Sequence, residues 1–216
     1  MILGIYGFGG LGREIYDVAV RRNTVSPQWS DIIFIDDFKE MSDTFGIRIE
    51  RFESIIKSKR EYECVVAVGE PSSRQKLFDK LIEADIKVTT LIDPTVIISP
   101  GALIRSGTVI CEYATIHTGV SLGNNILVQP FCVIGHDIKV GNHSVLSTYC
   151  VPGGCTVIGE RVFIGLHCAI KESLTIGDDA IVGMGSVVYQ NVPAGTTVLG
   201  NPARVTKGNE ERKVFK

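Results

Sequence analysis

Residues 126–146 read ILVQPFCVIGHDIKVGNHSVL, and an aliphatic side chain returns in them at Val128, Ile134, Val140 and Leu146. The same six-residue step runs back through Leu122, Ile116, Ile110 and Ile104 to Ile98. It runs forward through Pro152, Ile158, Ile164, Ile170, Ile176 and Val182 to Val188. Fifteen of these sixteen positions hold Ile, Leu or Val, and Pro152 is the exception. Four places after each stands a mostly small residue, such as Ala114, Cys132, Ser144, Cys150 or Thr156, and glycine often follows the aliphatic directly, as at Gly135 and Gly141. A period of six fits neither a helix nor simple alternation along a strand, but it fits a short strand followed by a corner. Three such units close a triangular coil, and stacked coils pair like a parallel sheet, with rungs about 4.8 Å apart. The sixteen units make just over five coils. Cys132, Cys150 and Cys168 are 18 apart and stack on one inner face. They could form a metal or redox cluster; the register instead assigns them to the small inward slot, where free cysteine behaves as a small hydrophobe.

With 216 residues the chain can form one large domain or two small ones. Its 22 basic and 24 acidic residues are nearly balanced, which argues against a nucleic acid or an anionic membrane surface as partner. The six cysteines show no CxxC spacing, no signal peptide is evident, and no apolar run approaches the ~18 residues of a membrane span. The expectation is a cytoplasmic protein with reduced thiols.

Before residue 93 the six-fold pattern is absent. Residues 1–7 (MILGIYG), 31–37 (DIIFIDD) and 64–69 (CVVAVG) read as buried strands. LGREIYDVAVRR has helical spacing, and a second helix capped by Ser72 or Ser73 is expected through RQKLFDKLIEA. The division predicted is an α/β Rossmann-like domain over 1–93, a parallel β-helix over 94–204 and a tail over 205–216. In the first domain the loop Gly7-Phe8-Gly9-Gly10 and Gly12 spell GxGxxG between a strand and a helix. Backbone N–H groups there can hold a ligand's phosphates at the positive end of the helix. Asp36 and Asp37 could accept hydrogen bonds from ribose or sugar hydroxyls. The plainer alternative is that the glycines only permit tight packing and the aspartates cap a loop.

The segments GIYGFGGLGREIYDVA, FIDD, VVAVGEPSSRQKL, LIDPTVIISPGA and GNPARV resemble the nucleotide-sugar amine N-acetyltransferases and sialic acid O-acetyltransferases, a family of hexapeptide-repeat acyltransferases. The resemblance covers nearly the whole chain. It implies a left-handed β-helix, a homotrimer, acetyl-CoA as co-substrate without a metal, and a UDP-, GDP- or dTDP-linked acceptor held by the N-terminal domain. The family's glycine loop usually carries a histidine where this chain has Leu11.

Acyl transfer needs a base near neutrality, and histidine suits it. Of His117, His136, His143 and His167, His136 with its neighbour Asp137 matches the place of the family's catalytic histidine, so His136 is expected as general base and Asp137 as its orienting partner. Sequence neighbours on a straight strand face opposite sides, so the two can touch only near a corner. His117, about one coil earlier, is a candidate for substrate binding. The resemblance places acetyl-CoA against Gly154 and the Gly183-Met184-Gly185 turn, where backbone N–H groups could meet the developing oxyanion. Arg204 and Lys207, after the last coil, could meet the coenzyme's phosphates or be solvated tail charges. Corner geometry alone also accounts for glycines at such positions.

The function expected is N-acetylation of a nucleotide-linked 4-amino-4,6-dideoxy sugar. The alternatives are O-acetylation of sialic acid or a related sugar, a non-catalytic sugar-binding trimer, and a zinc hydratase like the γ-class carbonic anhydrases. A nicotinamide-dependent oxidoreductase would leave the β-helix without a role.

Overall fold

The computed structural model describes residues 1–38 and 46–215. The N-terminal sheet is parallel, with strand order β3-β2-β1-β4-β5. Its strands are β1 (Ile2–Tyr6), β2 (Asp31–Ile35), β3 (Ile49–Glu50), β4 (Tyr62–Val66) and β5 (Lys87–Val88). Helices α1 (Gly10–Val25), α2 (Phe52–Lys57) and α3 (Pro71–Glu83) connect them. Ile15, Val18 and Ala19 form the buried stripe of α1, at the spacing of one helical face. The third expected strand at 64–69 lies two residues earlier, at Tyr62–Val66. The Ser72/Ser73 cap is corrected too: α3 starts at Pro71 with Glu70 before it and no side-chain cap. Proline at the first helical position has its φ already set and lacks an N–H that would go unpaired there.

From Leu91 onward the chain winds a left-handed β-helix of two-residue strands. Its first wall runs from Leu91–Ile92 through Val109–Ile110 to Ile181–Val182, and its third from Leu103–Ile104 to Thr175–Ile176. The second wall is split into two three-stranded sheets between Val133–Ile134 and Val151–Pro152. Pro152 has no N–H to give to the ladder, and the break falls there. The inward aliphatics from Ile110 to Val188 form one core with Cys132, Cys150 and Cys168. The Sγ atoms of Cys132 and Cys150 stand 3.6 Å apart, and the thiols of Cys132 and Cys168 reach backbone carbonyls. They therefore occupy the small inward slot.

The corners obey a rule that the sequence does not display. Every sixth residue from Gly107 to Gly185 has φ between +53° and +75°, the left-handed region. Only Gly107, Gly119 and Gly185 among these fourteen are glycines; the others include Tyr113, Phe131, Arg161 and His167. The corner between the first and second walls carries a ladder of exposed rings, with Tyr113, Phe131, Tyr149 and His167 stacked at 4.8–5.1 Å. A hairpin of Thr196–Leu199 and Arg204–Gly208 extends the first wall, so the expected tail begins inside a strand.

The N-terminal domain covers the first wall, where Val109, Leu127 and Val145 share a core with Phe8, Ile15 and Phe34. Two polar ties fasten it. Arg21 pairs with the buried carboxylate of Asp93 at 2.6 Å and with Glu112 at 2.9 Å. Arg74 is fully buried, and its guanidinium spends all five N–H groups on acceptors: the carbonyls of Val66 and Val68, and the carbonyl and side-chain oxygen of Asn125. Burial pushes its pKa down to about 9, which still leaves it protonated at neutral pH. Asn125 also bonds His143 Nδ1 at 3.0 Å, and burial lowers the His143 pKa and keeps that ring neutral. R74A leaves these buried acceptors without donors and should lower the unfolding free energy by on the order of 3 kcal/mol in urea titrations. R74K, with three donors in place of five, should recover less than half of that loss.

Candidate active site

His136 and Asp137 stand at the corner between the second and third walls, the edge of the prism opposite the wall that carries the N-terminal domain. Asp137 is the left-handed residue of its corner, with φ +58°. That turn swings its carboxylate back beside its neighbour, and His136 Nδ1 lies 2.9 Å from Asp137 Oδ2. The required corner is thus present. A neutral imidazole that donates Nδ1–H to this carboxylate keeps its lone pair on Nε2. Both side chains are exposed, at 61% and 60%.

Two glycines, each one coil away, make room for the pair. A Cβ at Gly154 would stand 2.5 Å from His136 Nε2, and one at Gly119 would stand 2.2 Å from Asp137 Oδ1. Gly154 was read as a coenzyme contact, and the structure places it against the imidazole. Gly119 was not singled out; the signal was available, because it precedes Asp137 by one coil of 18 residues. Cys155 occupies the corner position one coil after Asp137. His117 is exposed on the same corner one coil before, displaced by one residue from the His136 column.

The remaining candidates lie elsewhere on the chain. Gly183-Met184-Gly185 turns between the first and second walls, so one chain does not bring it to His136. Gly185 has φ +71° with open space around it, and Met184 is exposed. Gly183 is packed against Leu199. Arg204 is exposed at the start of the last strand and donates to the carbonyl of Ala203.

In the N-terminal domain the loops after β1, β2 and β4 gather at the carboxyl ends of the sheet, where the strand order reverses between β1 and β4. That crevice is where open α/β sheets bind ligands. Gly12 is dictated by packing, since a Cβ there would lie 2.0 Å from the Gly7 carbonyl oxygen. Gly7, with φ +122°, is held close to Ala67. Gly9 and Gly10 have nothing within 4 Å of a Cβ, and no side chain caps α1. Among the described residues, no side chain takes up the first N–H groups of α1 as a cap. The ring of Phe8 is buried against Phe34, leaving its backbone to the loop. Asp36 receives the N–H groups of Phe8 and Phe38. Asp37 receives the Tyr6 hydroxyl, the Lys80 ammonium and the Phe52 N–H. Although burial opposes it, these donors hold the Asp37 carboxyl below the usual carboxylate range. Residues 214 and 215 return to this crevice: Glu70 accepts the N–H groups of Val214 and Phe215, and the Phe215 ring and the Leu11 side chain each lie close to Gly69.

Residues 3–81 match the PglD N-terminal domain, and residues 155–190 match the hexapeptide repeat of succinyl-transferase. The acetyltransferase domain of PglB from Neisseria gonorrhoeae FA1090 superposes with a TM-score of 0.88 at 26% identity, over 95% of this chain and 99% of that one. The same domain in complex with acetyl coenzyme A gives 0.88 at 27% identity, over 95% and 98%. A mutant perosamine N-acetyltransferase from Caulobacter crescentus, in complex with CoA and GDP-perosamine, shares the fold with a TM-score of 0.86 at 22% identity, over 96% and 97%. The chain thus joins a PglD-type N-terminal domain to a hexapeptide-repeat β-helix, the architecture it shares with the PglB acetyltransferase domain.

A methyl group at either flanking glycine should separate the pair without disturbing the core. G154A and G119A are each expected to lower acetyl transfer by about 10²-fold, the scale of an ångström's misplacement at a reacting group. Steady-state CoA release checks the activity, and a thermal melt checks that the chain remains folded.

Proposed function

We propose that this acetyl-CoA-dependent sugar acetyltransferase acts on the amine of a nucleotide-linked (UDP, GDP or dTDP) 4-amino-4,6-dideoxy sugar, with His136 as general base. The observation that carries the reading is the His136–Asp137 contact at an exposed corner, with a glycine at 154 leaving room beside Nε2. The PglB domain that binds acetyl coenzyme A, at 27% identity over nearly the same length, supports the donor. The glycine-rich loop that leads into α1, with nothing among the described residues within 4 Å of a Cβ at Gly9 or Gly10, supports a phosphate-bearing acceptor, which favours a nucleotide sugar over a free sialic acid. Among the described residues no helix is long and apolar enough to cross a membrane, and the reading includes a cytoplasmic location.

In the reaction the acceptor nitrogen attacks the thioester carbonyl carbon while His136 Nε2 takes the proton that the nitrogen sheds. Asp137 holds the imidazole by Nδ1 and stabilises the imidazolium. Collapse of the tetrahedral intermediate breaks the C–S bond, and His136 returns its proton to the CoA sulfur. Direct attack of this kind needs no covalent enzyme intermediate.

The prism sets a condition on this chemistry. The N-terminal domain lies on the first wall, the pair lies on the opposite edge, and the Gly183–Gly185 turn lies on another. Neighbouring copies are therefore required to bring donor turn, acceptor loop and base together, and a homotrimer meets the condition. The second wall supports it with exposed Ile97, Val133 and Val151 next to the ring ladder.

H136A should lower CoA release with its best acceptor among UDP-, GDP- and dTDP-4-amino sugars by about 10²–10⁴-fold, the usual worth of a positioned base. Turnover unchanged in H136A would remove the base assignment. Light scattering should give three times the 23.5 kDa chain mass, and a monomer at assay concentration would contradict a site shared between copies.

A further inference from the structure

Five of the six cysteines are buried, and Cys155 is the exposed one. Its backbone N–H donates to the His136 carbonyl at 2.8 Å, which ties its corner to the rung that bears the pair. One nitrogen of His136, one carboxylate oxygen of Asp137 and Sγ of Cys155 all lie within 4.8 Å of one another, and all three residues are exposed. Sulfur, imidazole nitrogen and carboxylate oxygen are the donors that zinc takes, with bonds of about 2.0–2.3 Å. Ligands around one such ion stand about 3.3–3.8 Å apart, a spacing that small rotations of three solvent-facing side chains can reach. Bound as a thiolate, a neutral imidazole and a carboxylate, the set carries two negative charges, which balance a divalent ion.

We propose that this corner is an inhibitory site for a thiol-seeking divalent cation, zinc above all, held by His136, Asp137 and Cys155 with water in the fourth position. The ion occupies the imidazole and its orienting carboxylate, so that His136 has no free pair to receive the acceptor's proton. Binding rests on the three side chains alone, while the inhibition rests on the role proposed for His136. The other thiols compete poorly, because burial pushes Cys64 up to about 12 and raises Cys111, Cys150 and Cys168 as well.

The test titrates the full-length protein with Co²⁺ and follows the thiolate-to-metal charge-transfer absorption in the near ultraviolet. The wild type should develop the band and saturate at one ion per chain, and C155S should lack it. With Zn²⁺ in the acetyl-transfer assay, C155S should keep wild-type turnover in metal-free buffer and need at least about tenfold more zinc for the same inhibition, the scale at which a lost ligand shell contact weakens a site. No band in the wild type, or the same band in C155S, overturns the site. A protein that forms the band yet releases no CoA with any acceptor would overturn the proposed function and leave the metal site standing.

Discussion

The left-handed backbone conformation at every sixth residue is the constraint on which both the fold and the candidate site depend. For a residue with a Cβ this conformation costs about 1–2 kcal/mol. Each corner is opposed by the burial of an inward aliphatic side chain, worth about 1.5–3 kcal/mol, and by ladder hydrogen bonds to the coils above and below. The coil therefore tolerates Tyr, Phe, Arg and His at positions where an isolated turn would call for glycine. The same bend makes His136 and Asp137 partners. On a straight strand these neighbours would face apart; at the corner they stand 2.9 Å from each other.

A second dependence runs between the two parts of the chain. The N-terminal sheet does not float on a linker, because Leu91–Ile92 is already a rung of the first wall and the Arg74 guanidinium binds carbonyls of its own domain and of Asn125 in the β-helix. Holding an unpaired cation in a dry interface is costly unless every N–H finds an acceptor, and here every one does. The crevice at the carboxyl ends of the N-terminal sheet is thereby fixed relative to the prism.

The repeat was legible in the sequence because a coil has one inward slot per wall and the inward residues keep a common chemistry from Ile98 to Val188. The corners were not, because their conformation is imposed by the stack and leaves little mark on residue type. Short elements such as β3, α2 and β5 have too few residues to show a period. Of the site, the His136–Asp137 contact needed a corner that spacing allowed but could not place. Gly119 and Gly154 gain meaning only when positions one coil apart are read together. Asp36 and Asp37, expected as sugar contacts from their place after β2, also hold the glycine loop, Tyr6 and Lys80, a role that spacing does not display.

Since each rung pairs a residue with the one 18 places on, the prism is a ruler marked only in whole coils. One further coil inserted between the rungs at Ala169–Ile170 and Val187–Val188 would carry the Gly183–Gly185 turn one step along the axis and leave it on the same edge. An insertion wound into the prism that is not a whole number of coils would rotate it away. The separation along the axis between the Gly183–Gly185 turn and His136 can therefore change only in steps of about 4.8 Å. Under the proposed function, the reach from that turn to His136 is set by counting coils, with no change to the residues at either place.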